Sequence, residues 1–301
     1  MQCVIQAHSK SPLVNCLKKV LPFIISQTQS AFIPGRLITD NVLVAFEALH
    51  TMDVRMKGRE GFMAMKLDMS KAYDRVEWNY LEEVMRKIGF VERWIHLTMT
   101  CVRIVTYSVL VNGQPYGTII PTRGLRQRDP LSPYFFILCA EGLTSLIGIA
   151  ENEARITGLP VTRGSIRLIH FFFFADDNLL FCKANIFEWS HIQGLLNTYE
   201  KASGQKVNQN KTSIFFSRNT HPDTKAHILS IVEVDSTQHY EKYLGLLSLI
   251  GRSKVSSFAR VKGKVWSRIK GWKEKFLSQA GKEILLKSVI QAITTYTMSV
   301  F

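Results

Sequence analysis

The sequence predicts an α+β fold, and three observations carry that expectation. Short runs of strand-forming residues stand among longer stretches of helical period, with no regular strand-helix-strand rhythm. A hydrophobic share of 46% over 301 residues is enough to bury a large core. No repeat period or low-complexity tract divides the chain, so one large domain or two to three contiguous subdomains are expected rather than modules on linkers.

Taken in order, Phe62 to Leu67 reads as an apolar strand and Asn79 to Ile88 as an amphipathic helix. Thr106 to Val111 reads as a second strand. Pro130 to Ala150 reads as a helix opened by Asp129 and Pro130, a cap and first-turn pair. Leu168 to Phe174 and Leu179 to Cys182 are strands, and the intervening Ala175, Asp176, Asp177 and Asn178 have the composition of a tight hairpin turn. Phe187 to Ser203 reads as a helix closing on Gly204, and Phe258 to Leu277 as a further helix.

Charge narrows the partners. The chain carries 38 Lys+Arg against 24 Asp+Glu, a net +14, which suits a polyanion or an anionic membrane surface. From Glu200 to Phe301 the count is 17 Lys+Arg against 7 Asp+Glu, a balance of +10, so the footprint for an anionic partner belongs in the last third. Five cysteines without a C-x-x-C pair argue against a disulfide framework and a zinc finger. No basic-then-apolar leader opens the chain, and the apolar windows 131–150 and 168–181 are broken by Pro133 and Glu141 or by His170 and two aspartates. The sequence therefore reads as soluble and intracellular, with no membrane partner expected.

Two placements of acid point to chemistry. Asp68 follows the strand Met63 to Leu67, where a strand runs out, and Asp176 and Asp177 sit between strongly apolar arms. Acids buried without partners are costly, so adjacent aspartates between apolar strands need a reason. A divalent cation supplies one, because hard carboxylate oxygens suit Mg²⁺. A plain Asp-Asp-Asn turn is the alternative, since these residues favour hairpin loops. If Asp68 and Asp176 meet on neighbouring strands, two ions roughly 3.5–4 Å apart would bind the attacking and leaving oxygens of an in-line phosphoryl transfer.

The segments KLDMSKAYDRVEW (66–78), GLRQRDPLSPYFFILCAEGL (124–143), FADDNLLFCKA (174–184) and SGQKVNQNKTSIFFS (203–217) resemble, in order, the motif series of the reverse transcriptases of plant LINE-type (non-LTR) retrotransposons. SQTQSAFIPGRLITDNVLVAFE (26–47) resembles the family's fingers motif, and 243–254 and 271–301 resemble its primer-grip and thumb stretches. The resemblance implies a right-hand polymerase with an antiparallel palm sheet. It divides the chain into partial fingers (1–61), palm (62–240, with an inserted fingers segment near 79–122) and a primer-grip and truncated helical thumb segment (241–301). It implies RNA-directed DNA synthesis on an RNA template and DNA primer from deoxynucleoside triphosphates, in the nucleus or cytoplasm, with two Mg²⁺ ions for which Mn²⁺ substitutes. Asp68, Asp176 and Asp177 would be the catalytic metal ligands.

By the same resemblance Tyr73 closes over the sugar 2′ carbon, Gln127 lies under the incoming nucleotide, Lys211 stands near the leaving pyrophosphate and Arg36 reaches phosphate. Each has a plainer reading: a packed aromatic for Tyr73, a solvated lysine for Lys211, a salt bridge for Arg36. Asp74 is assigned to capping the helix toward Ile88 rather than to the metal. The family pattern has glycine where this chain has Arg128, a position where glycine permits close backbone approach or positive φ.

Phe258, Val261, Val265, Ile269, Trp272 and Phe276 recur at helical steps, while Arg260, Lys264 and Arg268 line another face. A basic stripe backed by a packed face tracks a phosphate backbone without reading bases. Trp266, Trp272 and His170 are expected to be structural. The competing reading, motivated by Arg128 and by the absence of further fingers sequence before residue 18, is a catalytically inactive nucleic-acid-binding remnant. A two-metal nuclease would use similar acids but needs a water-activating base that no motif supplies.

Overall fold

The computed structural model describes residues 2–161, 167–174, 177–232, 254–273 and 278–298; of these, the side chains of 2–11, 55, 170–174, 177, 232, 254–257, 260, 272–273, 294 and 296–298 are not described. In chain order the elements are α1 (Gln2–Ile24), α2 (Ile38–His50), β1 (Phe62–Leu67), β2 (Met69–Ser70), α3 (Trp78–Ile88), α4 (Glu92–Arg103), β3 (Tyr107–Val111), β4 (Gln114–Ile119) and α5 (Ser132–Asn152). There follow β5 (Leu159–Pro160), β6 (Arg167–Leu168), β7 (His170–Phe174), β8 (Asp177–Lys183), α6 (Ile186–Ser203), β9 (Lys206–Val207), β10 (Ser213–Phe216), α7 (Pro222–Val232), α8 (Lys254–Lys273), α9 (Gln279–Leu285) and α10 (Gln291–Met298). The α+β expectation holds.

The main sheet has the order β10-β1-β8-β7, with every neighbouring pair antiparallel. Of its two central strands, β1 is apolar except at Lys66, because both of its faces are covered. Alternate residues serve different cores. Met63, Met65 and Leu67 join Leu180, Cys182 and Ile214 in the larger cluster with residues of α3, α5 and α6. Phe62 and Ala64 join Leu179, Phe181 and Phe215 against Ala45, Ala48 and Leu49 of α2.

Helix α5 runs unbroken from Ser132 to Asn152 and, by length and composition alone, is apolar enough to cross a membrane. The expectation that Pro133 and Glu141 interrupt this stretch is corrected: Pro133 lies in the first turn, where a missing N–H costs nothing. Tyr134 to Ala140, Leu143, Ile147 and Ala150 are buried in the protein core, which accounts for the apolar composition. The expected opening pair shifts as well. Asp129 Oδ1 accepts from the Leu131 N–H at 2.9 Å, so Asp129 and Pro130 form a turn ahead of the helix rather than its cap.

Three more expectations change. The N-cap of α3 is Glu77, and Asp74 lies ahead of it in the turn that begins at Lys71, so Asp74 does not cap the helix. Trp266 is 62% exposed, because it falls one residue after Val265 and so about 100° around α8 from the half-buried stripe of Phe258, Val261, Val265 and Ile269. The third concerns Arg36. Its guanidinium donates to the carbonyls of Pro22, Ile25, Ser26 and Gln29, closing the C-terminal end of α1, so its donors are engaged within the protein rather than offered to phosphate. Burial raises the nearby Glu141 carboxyl, while the Ser26 N–H and the Arg36 charge pull it the other way. The segment 243–253, Asp176 and the side chains of His170, Trp272 and Phe276 lie outside the described residues.

Replacing Arg36 with Met keeps the aliphatic stem and removes the donors to these carbonyls. We expect Arg36→Met to lower unfolding free energy by about 2 kcal/mol, read as a lower urea midpoint at unchanged slope.

Candidate active site

The ladder between β1 and β8 ends with Leu67 opposite Asn178. One further step along an antiparallel pair brings Asp68 level with Asp177, at a facing Cα spacing of roughly 4.5–5.5 Å. On its other side Asp177 pairs with Phe174, leaving Ala175 and Asp176 between the paired ends. The two acidic sites, 109 residues apart in the sequence between Asp68 and Asp177, thus converge at one end of the sheet.

Asp68 is 22% exposed and held from the side by the segment 205–211. That segment runs antiparallel to the chain leaving Asp68, with Met69 opposite Val207 and Ser70 opposite Lys206. The Asn208 N–H donates to the Asp68 carbonyl at 2.8 Å, and Asn208 Nδ2 lies 3.4 Å from Asp68 Oδ2. Lys211, 68% exposed, places Nζ 3.6 Å from the same carboxylate oxygen. An exposed ammonium pairs weakly, so this contact holds Lys211 only loosely. Further on, Gln205 is buried; it accepts from the Tyr199 hydroxyl and donates through Nε2 to the Ala72 carbonyl at 2.9 Å.

Tyr73 stacks on Phe136 of α5, with ring centroids 4.8 Å apart and planes at 13°. The stack orients the ring, which is half-buried. The Tyr73 carbonyl accepts from the Leu125 N–H and the Val76 carbonyl from the Gly124 N–H, both at 2.8 Å, so the 124–127 loop is pinned to the turn that carries Tyr73. Gly124 has φ +90°, and a Cβ there would lie 2.7 Å from the Asp74 carbonyl oxygen. No other residue permits this approach. Gln127 is exposed, with Nε2 3.5 Å from Asp74 Oδ1, the contact Asp74 makes in place of capping. A cleft of about 410 Å³ opens here, its walls including Asp74, Tyr107, Arg123, Arg126 and Gln127.

Arg128 adopts φ +64°. The position does require the left-handed backbone for which glycine is suited, and arginine occupies it at a cost of roughly 1–2 kcal/mol. On α8, Lys264 and Arg268 are exposed on one face; Arg260 lies in the same helix at matching register, its side chain outside the described residues.

The residues present fit a divalent cation. Asp68 offers hard oxygens at a strand end, partly open to solvent, and the register brings the main chain of Asp177 level with it. Among the described residues no group of three or more His, Cys, Asp or Glu side chains gathers; Asp176 and the Asp177 side chain are outside that set.

An antiparallel sheet that carries acids at one end and is packed by helices on both faces has the architecture of the palm of a right-hand polymerase. Solved telomerases have this fold: that of Candida tropicalis in the apo state matches at TM-score 0.52 and 14% identity over 88% of this chain and 44% of its own. The telomerase of Candida albicans, in complex with a fragment of telomeric RNA, matches at 0.51 and 13% identity over 96% and 47%. Residues 10–247 match the family model described as reverse transcriptase (RNA-dependent DNA polymerase), and the chain belongs to that family. The uncharacterized protein of transposon TX1 of Xenopus laevis is 26% identical over 285 residues, 94% of this chain and 21% of its own length. The Pol polyprotein of the type-1 retrotransposable element R2 of Popillia japonica is 28% identical over 126 residues, 42% of this chain and 20% of its own. An uncharacterized mitochondrial protein of Arabidopsis thaliana is 50% identical over 68 residues, 23% of this chain and 55% of its own. The chain thus spans about a fifth of the two transposon proteins. Members of this family work with divalent metal ions.

Reading the sequence missed Asn208, Gln205 and the Asp74–Gln127 contact. The one available signal was polar composition inside the strand-like stretch Gln205 to Asn208, where only pairing partners make burial tolerable.

Two substitutions in one loop should act in opposite directions. Gly124→Ala forces backbone against backbone and should lower the melting temperature, by about 1–3 kcal/mol in stability. Arg128→Gly relieves a left-handed residue and should raise stability by about 1 kcal/mol, while a β-branched Arg128→Val should lower it.

Proposed function

We propose that this chain is the RNA-directed DNA polymerase core of a non-LTR retrotransposon, adding deoxynucleotides to a primer 3′ end along an RNA template. The observation that carries the reading is the β1–β8 register, which supports the convergence of Asp68 with the Asp176–Asp177 pair. In this reading residues 1–61 belong to the fingers, 62–240 to the palm with an inserted fingers segment near 79–122, and 241–301 to the primer grip and thumb.

Asp68, Asp176 and Asp177 would hold two Mg²⁺ ions, with Mn²⁺ as a substitute. When bound, such ions ease loss of the 3′-hydroxyl proton and neutralise charge on the departing pyrophosphate. The primer 3′ oxygen bonds to the α-phosphorus as the bond to the β-phosphate bridging oxygen breaks. The chain's own residues supply position. Asn208 and the β2–β9 pairing support the orientation of Asp68, and the Phe136 stack supports Tyr73 as a wall against a ribose 2′-hydroxyl. Gln127 lies on the pinned loop beside the nucleotide, and Lys211 is within reach of the leaving phosphates once it turns from Asp68. Arg260, Lys264 and Arg268 follow the duplex backbone, which makes binding fall steeply with salt. Arg36 has no role with phosphate in this scheme.

Arg128 favours a second reading, a domain that binds nucleic acid without turnover, since bulk and charge replace glycine beside the nucleotide loop. Deoxythymidine incorporation on oligo(dT)-primed poly(rA) with Mg²⁺ separates the two. Extension is expected, with Asp68→Asn and Asp176→Ala each reducing it by more than the roughly 10–100-fold that loss of a supporting hydrogen bond to a metal ligand costs. Salt-sensitive duplex binding with no product above the Asp176→Ala background would establish the second reading instead. Tyr73→Ala should raise ribonucleotide incorporation relative to deoxynucleotide by up to about 10²-fold, the discrimination a single hydroxyl supports.

A further inference from the structure

Asn208 stands at the N-cap of the short 3₁₀ turn Gln209–Lys211, where asparagine ordinarily turns its side-chain oxygen onto the following N–H groups. It makes no such bond. Its carbonyl oxygen on the main chain accepts from the Lys211 and Thr212 N–H groups, so the turn closes without the side chain. The amide is directed instead to the opposite strand, with Nδ2 3.4 Å from Asp68 Oδ2, while its main-chain N–H holds the Asp68 carbonyl at 2.8 Å. Asn208 therefore grips both ends of one aspartate, main chain and carboxylate. Asn208 Nδ2 and, more distantly, Lys211 Nζ both approach Oδ2, and a carboxylate has more lone pairs than these donors use, which leaves acceptor capacity for a cation.

We propose that Asn208 is a positioning residue for the Asp68 metal ligand: its side-chain amide fixes the carboxylate rotamer and thereby sets the affinity of the site for divalent cation. The proposal rests on the reading of Asp68 as a ligand. Donors that orient a ligating group commonly matter 10–100-fold in metal affinity. The amide contributes this through Nδ2 alone, since the main-chain contacts and the 3₁₀ turn survive substitution. Gln205 and the β2–β9 pairing hold the same segment independently, so the fold does not depend on the amide.

The test is Mn²⁺ binding to the full chain without nucleotide, followed by the electron paramagnetic resonance of free ion, for the wild type, Asn208→Ala, Asn208→Asp and Asp68→Ala, with thermal melts of each. The expected result is a Kd for Mn²⁺ raised about tenfold in Asn208→Ala, a melting temperature close to wild type, and loss of the site in Asp68→Ala. In primer extension the same variant should raise the Mg²⁺ concentration needed for half-maximal rate while leaving KM for the template-primer unchanged. Asn208→Asp, which keeps the shape and loses the donor, should not restore wild-type metal dependence in extension. Wild-type Mn²⁺ affinity in Asn208→Ala beside loss in Asp68→Ala would overturn the role of Asn208 alone. Wild-type affinity in both would overturn the metal site itself, and the role of Asn208 with it.

Discussion

The antiparallel ladder between Phe62–Leu67 and its partner Asn178–Lys183 is the constraint from which the site follows. Both strands are central, and both of their faces are packed, against α3, α5 and α6 on one side and against α2 on the other. A slip of one residue would exchange the two faces, sending Met63, Met65 and Leu67 into the space shaped for Phe62 and Ala64. Two cores of unlike shape thus set one register. That register, rather than any attraction between like-charged acids, brings Asp68 to the level of Asp177. The hydrophobic core provides the force that holds mutually repelling groups together.

Position along the ladder matters as much as pairing. The acids lie just past the last apolar pair, where Asp68 keeps partial contact with water. Deeper in the sheet an ionised carboxylate would meet a desolvation cost that no described partner offsets. At the end of the ladder the same group needs only orientation. The segment 205–211 supplies it through main-chain pairing, a side-chain amide and a lysine that is held loosely.

The arginines illustrate how context assigns roles. Arg36 is used up on the carbonyls at the end of α1, and Lys264 and Arg268 face solvent on α8. Arg128 matters first through its backbone, in a left-handed conformation beside a loop whose Gly124 touches the Asp74 carbonyl. Such a conformational cost is of the kind that collects at functional sites.

Much of this was legible in the residues themselves. The strand Phe62 to Leu67 and the helix closing on Gly204 were read from local pattern, because periodicity acts over a few residues, while the special backbone at position 128 was read from the glycine that the resembling family carries there. The family was legible too, from the order of four motifs. The tertiary structure decided what depends on partners distant in sequence. It turned Arg36 to the end of a helix, took Asp74 from cap to contact with Gln127, exposed Trp266, and placed Asn208 against an aspartate 140 residues earlier. Sequence specifies which groups are polar; only the packed chain specifies which donor meets which acceptor, because those distances are fixed by the cores between them.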